Sequence, residues 1–131
     1  MANIVELREM SDEQLLKMLE DSREEMFNLR FQHASARLSD VSRLRTVRRQ
    51  IAQLETVLHM RDLAIEEASD QVDVAKAING KDWSAKAHFN YEVSAWEITF
   101  SDDDEDELAT AIVDLNRKIQ TGRRARRRAN N

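Results

Sequence analysis

The stretch Val41–Leu58, VSRLRTVRRQIAQLETVL, decides the fold of this 131-residue chain. Apolar side chains recur in it at intervals of three and four residues. They are Leu44, Val47, Ile51, Leu54 and Leu58. This spacing places them along one side of an α-helix, where they can pack against another helix. The pattern predicts a helix that continues to about Ala68.

A second helix is predicted upstream of this stretch. Ser11 is a suitable N-cap, and Gln14 stands three residues later, as in a capping box. A seam of the same spacing follows, made of Leu15, Leu19, Ser22, Met26 and Leu29. The segment SARLSD then favours a turn, with Ser39 or Asp40 as the cap of the next helix. The sequence therefore predicts an antiparallel helical hairpin.

Composition supports long helices and a thin core. The chain has two Gly and no Pro, so turn signals are scarce. Aromatic residues make up only 5%, and four of the seven lie in one segment, 89–100. A chain with so few buried rings is expected to rely partly on a partner. There is no Cys and no apolar run of signal or membrane-span length, so we expect a cytoplasmic protein that does not enter a membrane.

The C-terminal half has a different character. Alternating apolar residues change phase near Trp96, which predicts a β-bulge or two short strands within a hairpin at 88–101. An acidic run at 102–107 precedes a predicted short helix at 105–120, and a basic tail occupies 123–128. The predicted fold class is mainly α: a two-helix hairpin over 1–67, plus an extension over 68–131 that is either a small α+β unit or partly disordered.

Charge is unevenly distributed, although the whole chain has a net charge of −5. The window from Arg23 to Arg61 contains eight arginines and four acidic residues, so it is basic. On a helix, Arg45 and Arg49 lie in one strip with Ala52 and Thr56, away from the apolar seam. Arg48 lies beside this strip. Arginine suits bidentate contact with phosphate, so the strip predicts nucleic-acid binding.

The preceding helix carries polar and aromatic residues off its seam. Phe27 and Phe31 lie about a quarter-turn from the leucines, with Asn28, Arg30 and Gln32 nearby. Arginine, amides and exposed rings suit RNA. The alternative is that the rings widen the core face and the arginines are solvated. A coiled-coil adaptor that binds or oligomerises protein would have the same seams, so it remains a second hypothesis. No catalytic constellation, metal site or cofactor loop is predicted.

The motifs FNLRFQ (27–32) and VRRQIA (47–52), at their observed separation, closely resemble family twenty-nine of the bacterial large-subunit ribosomal proteins. The resemblance covers about residues 4–66. It implies a non-enzymatic helical hairpin that lies on large-subunit ribosomal RNA near the peptide exit tunnel. It also implies a neighbouring protein, family twenty-three, and indirect proximity to the signal recognition particle or a ribosome-associated chaperone.

The resemblance and the arginine distribution together predict the RNA-binding residues. They are Phe27, Asn28, Arg30, Gln32, Arg37, Arg43, Arg45, Arg48, Arg49 and Thr56. A further set in the tail is predicted to neutralise phosphates: Arg123, Arg124, Arg126, Arg127 and Arg128. The alternative is a flexible tail that pairs with the acidic run at 102–107. The family often has glycine where this chain has Ala36, which leaves the loop geometry open. Nothing in the resemblance covers the extension.

Overall fold

A computed structural model describes residues 3–116 and confirms a mainly helical fold with a small sheet. The four helices are α1 (Ile4–Glu9), α2 (Asp12–Ala34), α3 (Ser42–Ser69) and α4 (Val72–Ile78). The three strands are β1 (Ser84–Asn90), β2 (Ala95–Ser101) and β3 (Glu107–Val113). They form one antiparallel sheet in the order β1-β2-β3.

Helix α2 begins and packs as the sequence predicts. The Ser11 side chain accepts a hydrogen bond from the Gln14 N–H, and the Gln14 side chain accepts one from the Ser11 N–H, so the capping box is confirmed. All five residues of the predicted seam are buried. On α3, Val47 and Leu54 are buried, whereas Leu44, Ile51 and Leu58 are partly buried. Val57, which the predicted stripe omits, is also buried.

The turn between α2 and α3 is a Schellman motif with alanine in the glycine position. The Arg37 N–H donates to the Gln32 carbonyl at 2.8 Å, and the Ala36 N–H donates to the His33 carbonyl at 3.1 Å. Ala36 has φ = 56°, the left-handed conformation that glycine adopts without a Cβ penalty. The family's frequent glycine therefore has a physical reason, and this chain keeps the turn without it.

The N-cap of α3 is Val41 and not Ser39 or Asp40 as predicted, but Asp40 bonds to the first residue of the helix. The Asp40 carboxylate accepts hydrogen bonds from the Ser42 hydroxyl at 2.5 Å and from the Ser42 N–H at 3.0 Å. These bonds, with a smaller contribution from the Arg43 charge, lower the pKa of Asp40. The charged carboxylate is thus the form that stabilises the start of the helix.

The phase change near Trp96 reflects two strands joined by a turn. β1 and β2 pair in register from Ser84 with Ser101 to Asn90 with Ala95. Inward-facing residues of all three strands pack on the C-terminal part of α3 and on α4. The buried cluster is Ala64, Ala68, Val74, Ile78, Phe89, Trp96, Ile98, Phe100, Ala111 and Val113. This cluster draws on α3 as well as the extension, so the two parts of the chain share one helix.

The predicted helix at 105–120 is wrong over the described residues, because 107–113 form β3. Ala109, Ala111 and Val113 alternate onto the inner face and pair with Phe100, Ile98 and Trp96. Strand β2 is the central strand, and its second edge is paired by residues 107–113. This pairing outweighs the local preference of the segment for a helix. The basic tail at 123–128 lies outside the described residues, and the division of the chain at residues 67 and 68 stays a prediction.

Candidate nucleic-acid interface

The aromatic residues of α2 lie on the surface of the hairpin. Phe27 is 69% exposed and Phe31 is 64% exposed. Asn28, Arg30 and Gln32 are exposed as well. The alternative in which the two phenylalanines widen the core is therefore wrong. Two rings, an amide pair and an arginine instead form one water-facing surface, which we call the Phe27–Gln32 surface.

The arginine strip of α3 is also exposed along its whole length. Arg45, Arg48 and Arg49 are exposed, and so are Ala52 and Thr56. The Thr56 hydroxyl donates to the Ala52 carbonyl at 2.7 Å, so its proton is used within the helix. Its oxygen still has acceptor capacity. The small side chains leave room beside the guanidinium groups.

The hairpin brings these two surfaces to the same end of the molecule. The Phe27–Gln32 surface is near the C-terminal end of α2, and Arg43–Arg49 is near the N-terminal end of α3. A small cluster of Met26, Leu29 and Val47 holds the two helices together there. We call this part, residues 26–50, the turn end.

The turn end has a strong positive charge. Residues 26–50 contain six arginines and one acidic residue, Asp40. Within residues 3–116, only Arg43 of these six forms an ion pair, with Glu25, to which its Nε and Nη2 donate at 2.9 and 2.5 Å. Arg37, Arg45 and the others have no carboxylate partner in that range. Their guanidinium groups are available to an external anion.

Arg61 is buried and has partners within the protein, although it belongs to the basic window of the sequence. Its side chain is 7% exposed and pairs with Asp12. Its Nη2 also donates to the carbonyls of Arg8 at 2.9 Å and Met10 at 2.7 Å. Arg61 thus ties the segment between α1 and α2 to α3. A sequence signal exists: Arg61 follows Leu54 and Val57 at the same three- and four-residue spacing.

Arg8 joins the hairpin to the sheet. Its guanidinium carbon lies 4.2 Å from the centroid of the Phe89 ring, and its Nη1 donates to the Tyr91 hydroxyl at 3.4 Å. Arg8 and Tyr91 are 83 residues apart in the sequence, so no local sequence pattern predicts their contact. It is a cation–π contact that holds α1 against the end of β1.

Other kinds of site find no support in the described part of the chain. Residues 3–116 contain no group of three or more His, Asp or Glu side chains arranged to hold a metal ion. No helix within the same range is long and apolar enough to cross a membrane. The predicted tail arginines, 123–128, lie beyond the described residues.

Comparisons with known proteins cover the helical part of the chain. A family model described as Ribosomal L29 protein matches residues 5–76. The large ribosomal subunit protein uL29 of Mycobacterium tuberculosis (strain H37Rv) is 51% identical over 65 residues, which cover 50% of this chain and 84% of that protein. The protein of the same name from Mycobacterium leprae is 53% identical over 60 residues, 46% of this chain and 75% of that protein. The family match stops at residue 76, before the three strands.

Proposed function

Because the chain belongs to the ribosomal L29 protein family, we propose that it binds large-subunit ribosomal RNA through the turn end of its hairpin. As a member of this family it is a structural, non-enzymatic constituent of the large ribosomal subunit in the cytoplasmic ribosome. The observation that carries the RNA proposal is the row of exposed arginines on α3, next to small side chains and without carboxylate partners in residues 3–116.

The chemistry of the turn end fits folded RNA. Arg45, Arg48 and Arg49 present forked donors that match phosphate oxygens. On the neighbouring helix, Phe27 offers a ring for stacking, and Asn28 and Gln32 offer amides for base edges or ribose hydroxyls. Arg30, Arg37, Arg43 and Thr56 complete the proposed contact set. We also assign phosphate neutralisation to the tail arginines of 123–128.

The apolar seams of α2 and α3 pack against each other within the hairpin, which weakens the adaptor hypothesis. Leu15, Leu19, Leu54 and Val57 are buried in one cluster shared by α2 and α3. A helix of another protein would have to displace these contacts. At the turn end, the surface left for a partner is rich in exposed arginines, which favours RNA.

The test is binding of the full chain to purified large-subunit ribosomal RNA at several salt concentrations. Replacing Arg48 and Arg49 with Ala should weaken binding and reduce the slope of log K against log salt by about one unit per lost phosphate contact. A double variant of the extension, Lys76→Ala with Lys81→Ala, removes the same charge and should leave the slope unchanged. Equal slopes for all three proteins would refute the proposal.

We further propose that the protein lies near the peptide exit tunnel, beside ribosomal protein twenty-three. At that place the signal recognition particle or a ribosome-associated chaperone would dock nearby, without direct contact with this protein. The family resemblance supports this placement. A photo-crosslinker at Leu16, an exposed position on α2 outside the proposed contact set, tests it in intact ribosomes. Crosslinks to protein twenty-three or to tunnel-exit RNA are expected, and crosslinks confined to the small subunit would refute the placement.

We propose that the extension, residues 68–131, is an accessory module on the ribosomal surface. Its aromatic core supports a separate role, and so does the position of its three strands beyond the family match, which ends at residue 76. Truncation after Ser69 should leave incorporation into the large subunit intact but alter growth or the binding of nascent-chain factors. Normal behaviour in all these assays would refute a functional role for the module.

A further inference from the structure

The two edges of the sheet are protected to different degrees. β1 is one edge, and it carries Lys86 and His88 and lies against α1, where Arg8 covers Phe89. β3 is the other edge, and within residues 3–116 it pairs only with β2. After its first residue, Glu107, the strand reads LATAIV from Leu108 to Val113, with no further charged residue, Gly or Pro. Natural edge strands usually carry such residues to prevent pairing with another chain.

The side chains of β3 suit an added strand. Ile112 is 62% exposed and Thr110 is also exposed, so the outer face of the strand is open to solvent. On the inner face, Ala109 and Ala111 are small and leave the strand edge accessible. A further strand would shield Ile112 while extending the apolar inner face.

The residues directly before and after β3 are acidic. Residues 70–116 contain twelve acidic and three basic residues, a net charge of −9, whereas residues 117–131 contain seven basic residues and no acidic one. Residues 102–106 form an acidic loop that leads into β3, Glu107 is the first residue of the strand and Asp114 follows it. The Asp102 carboxylate accepts hydrogen bonds from the N–H groups of Asp104 and Asp106, both at 3.0 Å. The negative charges are thus held at a defined place beside the strand.

We infer that the edge of β3, which is unpaired within residues 3–116, binds an extended segment of another protein by strand addition, and that this segment has an uncharged centre flanked by Lys or Arg. Main-chain hydrogen bonds to β3 supply the affinity, and the acidic loop and Asp114 select basic flanks. RNA is disfavoured at this edge because the acidic loop and Asp114 repel phosphate. This inference concerns the sheet and is independent of RNA binding by the turn end.

The test is fluorescence anisotropy of the full chain with a labelled peptide, Lys-Lys-Thr-Val-Thr-Val-Thr-Lys-Lys, at low salt. A second peptide replaces each Lys with Glu. The basic peptide should bind, and the acidic peptide should bind at least about tenfold more weakly because of the fixed negative charge. Hydrogen exchange should slow at the backbone amides of β3 when the basic peptide is present. Equal binding of both peptides, or no binding of either, would overturn the inference.

A pair of matched variants locates the site. Ile112→Lys places a positive charge on β3, and Val72→Lys places the same charge at a 67%-exposed position on α4. The first should weaken binding of the basic peptide about fivefold or more, and the second by less than about twofold. The thermal unfolding of both variants is measured to confirm that they fold. Equal losses in the two variants would mean that the peptide senses only net charge, which overturns strand addition.

Other occupants give different results. If the peptide binds only after removal of residues 117–131, this chain's own basic segment competes for the edge, and a second protein is not its partner. If sedimentation shows dimers that Ile112→Lys abolishes, the occupant is a second copy of the chain. Either result overturns the inference. The double variant Arg48→Ala with Arg49→Ala should still bind the basic peptide. A failure of the RNA proposal is therefore distinguishable from a failure at β3.

Discussion

The turn end and the sheet are built in contrasting ways. At the turn end, Met26, Leu29 and Val47 are the buried apolar side chains, and both phenylalanines face water. In the sheet, Trp96, Ile98 and Phe100 are buried against α3 and α4. The aromatic rings of the hairpin are thus on its outside, whereas those of the sheet fill its core.

Charge follows the same division. The turn end is basic and residues 70–116 are acidic. Under the RNA proposal, the thin helical pair would gain burial and charge neutralisation by lying on RNA. The sheet already has a core of its own. The two proposals therefore place RNA binding at the turn end and contact with protein at β3.

The largest effect is expected in the core of the sheet. Phe100 is fully buried, and its ring lies 5.3 Å from the Trp83 ring. Phe100→Ala should reduce the free energy of unfolding by about 3–5 kcal/mol, since it leaves a cavity. Urea unfolding followed by tryptophan fluorescence measures the loss. Phe31→Ala, at an exposed position, should change the free energy by less than about 0.5 kcal/mol.

The same experiment sharpens the comparison between the two regions. In Phe100→Ala, the urea midpoints of the tryptophan signal and of the helical circular dichroism signal are compared. If the tryptophan midpoint falls below the circular dichroism midpoint, the sheet and the hairpin unfold separately. Coincident transitions would mean that α3 couples them into one cooperative unit. A loss below about 1 kcal/mol would contradict the assignment of Phe100 to a core.

Arg61→Ala tests the junction between the regions. Its loss leaves the carbonyls of Arg8 and Met10 without their donor, so we expect about 2–3 kcal/mol of destabilisation. Arg23→Ala is the matched control, because Arg23 forms an exposed ion pair with Glu55 at 2.8 Å. Exposed pairs contribute about 0.2–1 kcal/mol. Thermal unfolding compares the two, and equal losses would show that burial of Arg61 carries no stability.

Ala36→Gly tests the turn and should stabilise the protein. The left-handed φ of Ala36 costs an L-residue about 1 kcal/mol, which glycine avoids. Ala34→Gly, within the last turn of α2, should instead lose up to about 1 kcal/mol. Urea midpoints of the two variants should therefore move in opposite directions. A loss for Ala36→Gly would refute the role assigned to that position.

The smallest effect concerns pH at the start of α3. Because folding lowers the pKa of Asp40, its contribution to stability is present above the unfolded-state pKa. That contribution is lost as the pH falls through the lower, folded-state pKa. Carboxyl NMR titration should give a lower midpoint for Asp40 in the protein than in a peptide of residues 37–46. Asp40→Ala should remove this part of the acid sensitivity, and equal midpoints would contradict the role of the hydrogen bonds from Ser42 to Asp40.

The helical hairpin was largely predictable because its determinants are local. The capping box at Ser11, the seam of α2 and the start of α3 near Asp40 depend on spacing within a few residues. Whether Phe27 is exposed was left open by the sequence and was decided by the structure. The predicted RNA contacts at Arg48 and Arg49 stay predictions, since exposure alone does not identify a ligand.

The sequence by itself therefore determined the two long helices, their pairing and the family. Only the tertiary structure decided that Glu107–Val113 is a strand, that Arg61 bonds to the carbonyls of Arg8 and Met10, and that Arg8 covers Phe89. Each of these depends on a partner distant in sequence. Strand β3 needs the open side of β2, and Arg61 needs carbonyls about fifty residues upstream. Local periodicity contains no information about such partners.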